Sequence, residues 1–189
     1  MTQVWQRWNG PWVALVMVLA LLGVAVAGLL VRLRTQAGMP ACRAWRYSLA
    51  EVGMIAGTLP WIILLLAPIR LAPDAQRFYL TPFSDIWFQL TGPPGEAVVQ
   101  LGGNLLVLFA FGAGAAVRFR ALAGPWRLLA AGAAGSLLLE LIQLATASGR
   151  VFSVDDILLN ALGALLGGLA TRRWWASRQL PAAQRIAPV

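Results

Sequence analysis

Apolar residues in this chain gather in long unbroken runs, without the alternation of a half-buried strand or the one-sided stripe of a soluble helix. Five runs stand out, over residues 12–31, 52–69, 97–117, 128–147 and 154–171. A helix needs about 20 apolar residues to cross bilayer hydrocarbon, so each run is read as a transmembrane helix. The expected fold class is all-α, a polytopic helical membrane bundle of about five spans. The first run lies between Arg7 and Arg32 with no charge inside it. It exceeds the roughly 7–15-residue core of a cleaved signal peptide, so it is read as retained. Pro60 inside the second run predicts a kink. Residues 1–11 then form an N-terminal tail, 12–171 the helical membrane domain and 172–189 a basic tail. Disorder is expected after Ser177, where Pro181 and Pro188 end any helix.

Composition supports the same class. The chain has 189 residues, 59% hydrophobic and 12% charged, where soluble domains average about one quarter charged. A disordered chain is excluded and an ordinary soluble globule is disfavoured. All 15 basic residues are Arg, and most lie between the apolar runs. Without a basic stripe on a soluble fold, nucleic acid is not an expected partner. The first loop, third loop and tail carry eleven Arg, against four in the N-terminus, second loop and fourth loop. That bias puts the N-terminus outside and the C-terminus in the cytoplasm. Nine Trp, mostly near the ends of the runs, fit an interfacial belt.

Absences narrow the chemistry. The chain has no His and one Cys, so Ser-His-Asp catalysis, Cys-His catalysis and His-ligated metals are out. Cys42 cannot form an internal disulfide and is read as a free structural thiol. Acid–base work falls to Glu51, Asp74, Asp85, Glu96, Glu140, Asp155 or Asp156. Between Arg70 and Glu96, a loop holds Pro73, Pro82, Pro93 and Pro94 among aromatics. Within it, residues 83–90 read either as a short helix on the membrane surface, with Ser84 as its cap, or as a Pro-rich connector.

Polar residues in three of the runs converge in depth. Asn104 lies eight residues past Glu96, roughly 12 Å into the third span. Glu140 sits at a similar depth in the fourth, with Gln143 on the same face at i+3. Asp156 and Asn160 are one turn apart on the fifth. Ionisable groups in a membrane turn toward a partner or a wet cavity, so Glu140 must be protonated, paired or hydrated. Arg150 is the cation nearest it along the chain, and a Ser148-Gly149 turn would fold it back over the pocket. Taken singly, Asn104, Gln143 and Asn160 serve equally as interhelical glue, as do Gly163 with Gly167 and Gly132 with Gly135. Glu51, at a cytoplasmic helix end, is explained by interfacial solvation.

Residues 136–168, SLLLELIQLATASGRVFSVDDILLNALGALLGG, resemble the VanZ-like family of membrane proteins, whose founding member is associated with teicoplanin resistance. Glu140, Gln143, Arg150, Asp155, Asp156, Asn160, Gly163 and Gly167 follow the family's order and spacing. Asn104 with Gly112, and Pro82-Phe83, match upstream elements, and the likeness covers about residues 49–168. Ser153 stands where Asp is common, Ala110 where Pro is frequent, and Tyr79 where Asn often precedes Pro-Phe. The resemblance implies a multi-pass protein of the bacterial cytoplasmic membrane.

Three functions compete. The leading one is a binding or protective role at the cell envelope. Here Asn104, Glu140, Gln143, Arg150, Asp155, Asp156 and Asn160 form an outward pocket for a lipid-linked wall precursor or a lipoglycopeptide, with no cofactor and no metal. The second is an enzyme on a lipid-linked substrate, with Glu140 as general acid or base and carboxylates that could hold Mg²⁺. The third is a proton-coupled transporter or channel, since a buried Glu suits a proton relay; a structural or partner-binding subunit takes what remains. Five spans without an internal repeat lack the paired halves of many transporters.

Overall fold

The computed structural model describes residues 2–68, 78–146 and 150–176, with side chains described from Gly10 onward. Expectations resting on Asp74, Pro73, Arg70, Arg77, the Ser148-Gly149 turn and the tail after Ser177 lie outside the described residues. Helices dominate: α1 (Thr2–Gln36), α2 (Ala41–Leu66), α3 (Ser84–Thr91), α4 (Pro94–Val107), α5 (Phe109–Arg118), α6 (Pro125–Ala145), α7 (Val154–Ala170) and α8 (Arg172–Trp175). Two short strands, β1 (Phe78–Tyr79) and β2 (Phe152–Ser153), pair in parallel.

Among the described residues, four helices are long and apolar enough to cross a membrane. They are Gly10–Gln36, Ala41–Leu66, Pro94–Arg118 and Pro125–Ala145. The third of these is α4 and α5 in line, broken at Leu108. The fifth expected span, α7, has 17 residues. At 1.5 Å per residue it is roughly 26 Å long, short of about 30 Å of hydrocarbon. An acidic pair in its first turn and Thr171 with Arg172 after its last set those limits.

The N-terminal half differs from expectation twice: α1 starts at Thr2, so the expected tail over residues 1–11 is helical from there, and the join to α2 is displaced. α2 begins at Ala41 rather than near residue 52, so Arg43 and Arg46 are helical and the first loop shrinks to a tight turn. Gly38, at φ 84°, makes that turn. Its N–H donates to Thr35 O, and the Met39 N–H to Arg34 O. These two bonds satisfy carbonyls that the end of α1 leaves without partners. Pro40 follows and prevents continuation.

α7 is the inner helix, packed against α4, α5 and α6, whereas α1 rests chiefly on α2 at the periphery. Close approach depends on glycine. A methyl added at Gly163 would lie 2.0 Å from Leu105 O, and one at Gly167 would lie 1.9 Å from Phe109 O. Gly132 of α6 is less tight, with an added methyl 2.8 Å from Ala164 Cβ and 2.9 Å from Ala161 Cα, while Gly135 has only ordinary van der Waals contact. Carbonyl and Cα atoms touch across these seams, which is how membrane helices gain dispersion energy without a hydrophobic drive. The tail is anchored at its start: Trp175 is buried against Val117 and Leu128 and donates to Gly168 O.

Candidate functional site

The polar residues sort into a cavity, the scaffold around it and a separate ionic knot. The cavity, of about 220 Å³, is lined by Tyr79, Asp85, Gln89, Gln100, Gln143, Arg150, Ser153 and Asp156, with Leu65, Phe88 and Val151. Its walls therefore come from α2, β1, α3, α4, α6, β2 with the segment before it, and the start of α7. A wider hollow of about 660 Å³ at the α5–α6 connection is lined by Arg120, Gly124, Trp126 and Arg127 and holds none of these groups.

Arg150 reaches the cavity from the connection between α6 and β2. One guanidinium nitrogen donates to Leu64 O at 2.9 Å, while Nε is buried without a partner among the described residues. Burial pulls the guanidinium below its usual pKa, and the carboxylates of Asp156 and Glu140 push it back up. Gln143 donates to Leu65 O at 2.9 Å. Two side chains thus serve carbonyls at the end of α2, of which Leu64 O also accepts the Ala67 N–H at 3.3 Å.

Asp155 does not line the cavity. Its Oδ1 accepts the Phe83 N–H at 2.5 Å, and its Oδ2 accepts those of Asp85 and Ile86 at 2.9 and 3.0 Å. A carboxylate from α7 thereby caps α3. Ser84 was expected to do so but makes no such bond; its hydroxyl donates to Thr81 O. Phe83 is the cap residue and sits at φ 67°, a conformation rare for a bulky side chain. Capped in this way, residues 84–91 form the short helix expected there. It turns Asp85 and Gln89 to the cavity and exposes Trp87 and Leu90.

Asn104, Asn160, Ser136 and Glu140 form the inner scaffold behind Asp156. Asn104 donates to Asp156 Oδ1, and Asn160 donates to Ser136 Oγ at 2.7 Å. Glu140 is 2% exposed. Its carboxyl accepts the Ser153 N–H, and its Oε2 has no partner among the described residues. Glu140, Asn104 and Asn160 therefore sit behind the cavity wall rather than on it.

A family model described as VanZ/LLP1 matches residues 51–175, about two thirds of the chain. The chain belongs to the VanZ-like family. No curated protein and no solved structure matches it.

In this VanZ-like protein, four of the side chains singled out from sequence act as scaffold: Asn104, Glu140, Asp155 and Asn160. Gln143, Arg150 and Asp156 line the cavity. Sequence reading missed Tyr79, Gln89 and Gln100 and gave Asp85 no particular role. A signal existed for Gln100: Glu96, Gln100 and Asn104 repeat at i, i+4 and i+8 on α4, a polar stripe on one helical face. Asp85 and Gln89 share the same spacing, and Gln89 donates to Asp85 at 3.5 Å. Burial pushes the Asp85 carboxyl up from its ordinary pKa. The Gln89 bond draws it down, the nearby Asp155 carboxylate raises it, and the Ser153 hydroxyl lowers it.

Glu51 has partners beyond interfacial water. Arg34 donates to it at 2.5 Å and to Ser48 Oγ at 2.8 Å. Arg118 also donates to Glu51, and its guanidinium stacks over Tyr47. This knot ties α1, α2 and α5 together, fourteen residues before the Leu65 that lines the cavity, or roughly 21 Å along α2.

Proposed function

We propose that this VanZ-like membrane protein binds the headgroup of an amphiphile in the cavity beneath α3, with Arg150 as the anchoring cation. The observation that carries the reading is the convergence of Arg150, Gln143 and Asp156 on one small cavity at the end of an apolar bundle. Arg pairs well with phosphate or carboxylate. An apolar groove of about 500 Å³ lies beside it, lined by Trp12, Leu15, Ile63 and Leu64. Leu64 also supplies the carbonyl that holds Arg150, so a chain in the groove and a headgroup in the cavity would share one wall. A lipid-linked wall precursor fits this form better than an intact lipoglycopeptide. The cavity falls below the roughly 300–1,000 Å³ of sites for drug-sized ligands.

A role in teicoplanin-type resistance, with the cavity facing outside the bacterial cytoplasmic membrane, belongs to the same proposal. Expression of wild type, Glu140→Gln and Arg150→Ala in a sensitive Gram-positive host tests it, with membrane levels matched by blot. Protection by wild type that Arg150→Ala loses is the expected outcome. Absence of protection by wild type removes the resistance role. The burial of Glu140 behind the wall weighs against direct acid–base contact with a ligand, so the enzyme reading ranks below binding.

A further inference from the structure

The charges around the cavity distinguish one kind of headgroup from another. Its walls carry one guanidinium, on Arg150, and two carboxylates, on Asp85 and Asp156. Neither carboxylate is saturated. Asp85 receives Gln89 and Ser153, both at 3.5 Å, beyond the range of a strong hydrogen bond. Asp156 accepts Asn104 on Oδ1, and no described residue donates to its Oδ2. Ion pairs among the described residues involve Glu51 alone, so Arg150 does not neutralise either aspartate by direct contact. A bare phosphate seated on Arg150 would therefore face two acidic groups with open acceptor sites, an unfavourable pairing at short range.

A headgroup that also carries a protonated amine meets both signs. We propose that the cavity selects an aminophospholipid headgroup, with its primary amine held by Asp85 and Asp156 and its phosphate held by Arg150. The inference rests on the amphiphile reading above and sets a zwitterionic lipid in place of the wall precursor as the ligand. A quaternary ammonium has no N–H to donate, and a glycerol headgroup has no cation. Phosphatidylcholine and phosphatidylglycerol thus serve as controls for each half of the claim.

Native mass spectrometry of the full chain released from nanodiscs tests it. The discs hold equal parts phosphatidylethanolamine, phosphatidylcholine and phosphatidylglycerol. Wild type is expected to retain phosphatidylethanolamine about tenfold over the other two, the scale of one charge-assisted bond. Asp85→Asn is expected to bring the three to parity. Asp85 sits on α3, outside the spanning helices, so the bundle does not depend on its charge. Equal retention of phosphatidylglycerol by wild type, lost in Arg150→Gln, overturns the amine and leaves the amphiphile reading standing. Retention of all three unchanged in Arg150→Gln overturns both. Soluble glycerophosphoethanolamine binding as tightly as the lipid overturns the membrane-borne source.

Discussion

Asp155 joins three backbone donors of one helix to a side chain on another, and its replacement has a specific expected result. Asp155→Ala leaves the Phe83, Asp85 and Ile86 N–H groups without their acceptor. These donors are part-buried, so losing the acceptor costs less than the about 1–3 kcal/mol of a fully buried one, and α3 should loosen while the bundle stays folded. Faster amide exchange confined to residues 83–91 is the measurement, and Asp155→Asn should recover part of the protection. Asp85 gives a pH dependence. Its folded-state pKa is raised, so docking of α3 is firmer where it is protonated and weakens as pH rises through that raised value. Protection factors of the α3 amides, corrected for base-catalysed intrinsic exchange, should fall over that interval, and Asp85→Asn should flatten the fall. Neither role could be read from spacing alone. The acceptor and its donors are about seventy residues apart, and backbone N–H groups leave no mark in a sequence.

Among the helices, glycine decides how closely α7 can sit. Gly163→Val and Gly167→Val would each drive a side chain into a backbone carbonyl of α4 or α5. Overpacking costs about 1–3 kcal/mol even where side chains can yield, and a carbonyl yields less. Both variants should lower the thermal unfolding midpoint in detergent well below that of wild type, with Gly135→Ala close to neutral as control. Hydropathy located the four helices long and apolar enough to cross a membrane, and the shorter α7, because each meets lipid or packed neighbours on every side. It misplaced the start of α2 because Arg43 and Arg46 read as loop, whereas helices run on past the hydrocarbon into the interface. It saw neither strand. A two-residue pairing carries no periodicity, and β1 and β2 meet only because the loop folds back onto the connection before α7.

For the protein as a membrane object, Cys42 offers a natural reporter. It is the one cysteine of the chain and is exposed at the start of α2, amid the arginines that the topology reading places in the cytoplasm. A membrane-impermeant maleimide should label it in inverted vesicles and leave it unmodified in intact cells; the opposite result reverses the orientation and turns the cavity inward. The polar residues were legible as a cluster because Asn, Gln, Glu and Asp stand out against an apolar background. Their division into wall and scaffold was not, because it depends on which way each helix is rotated. The cap on α3 also sets a timetable for biosynthesis. Its donors are made about seventy residues before the carboxylate that receives them, so the segment leaves the ribosome long before its acceptor exists. A chain interrupted ahead of α7 would present an unlatched aromatic helix at the membrane edge, a ready mark for quality-control proteases.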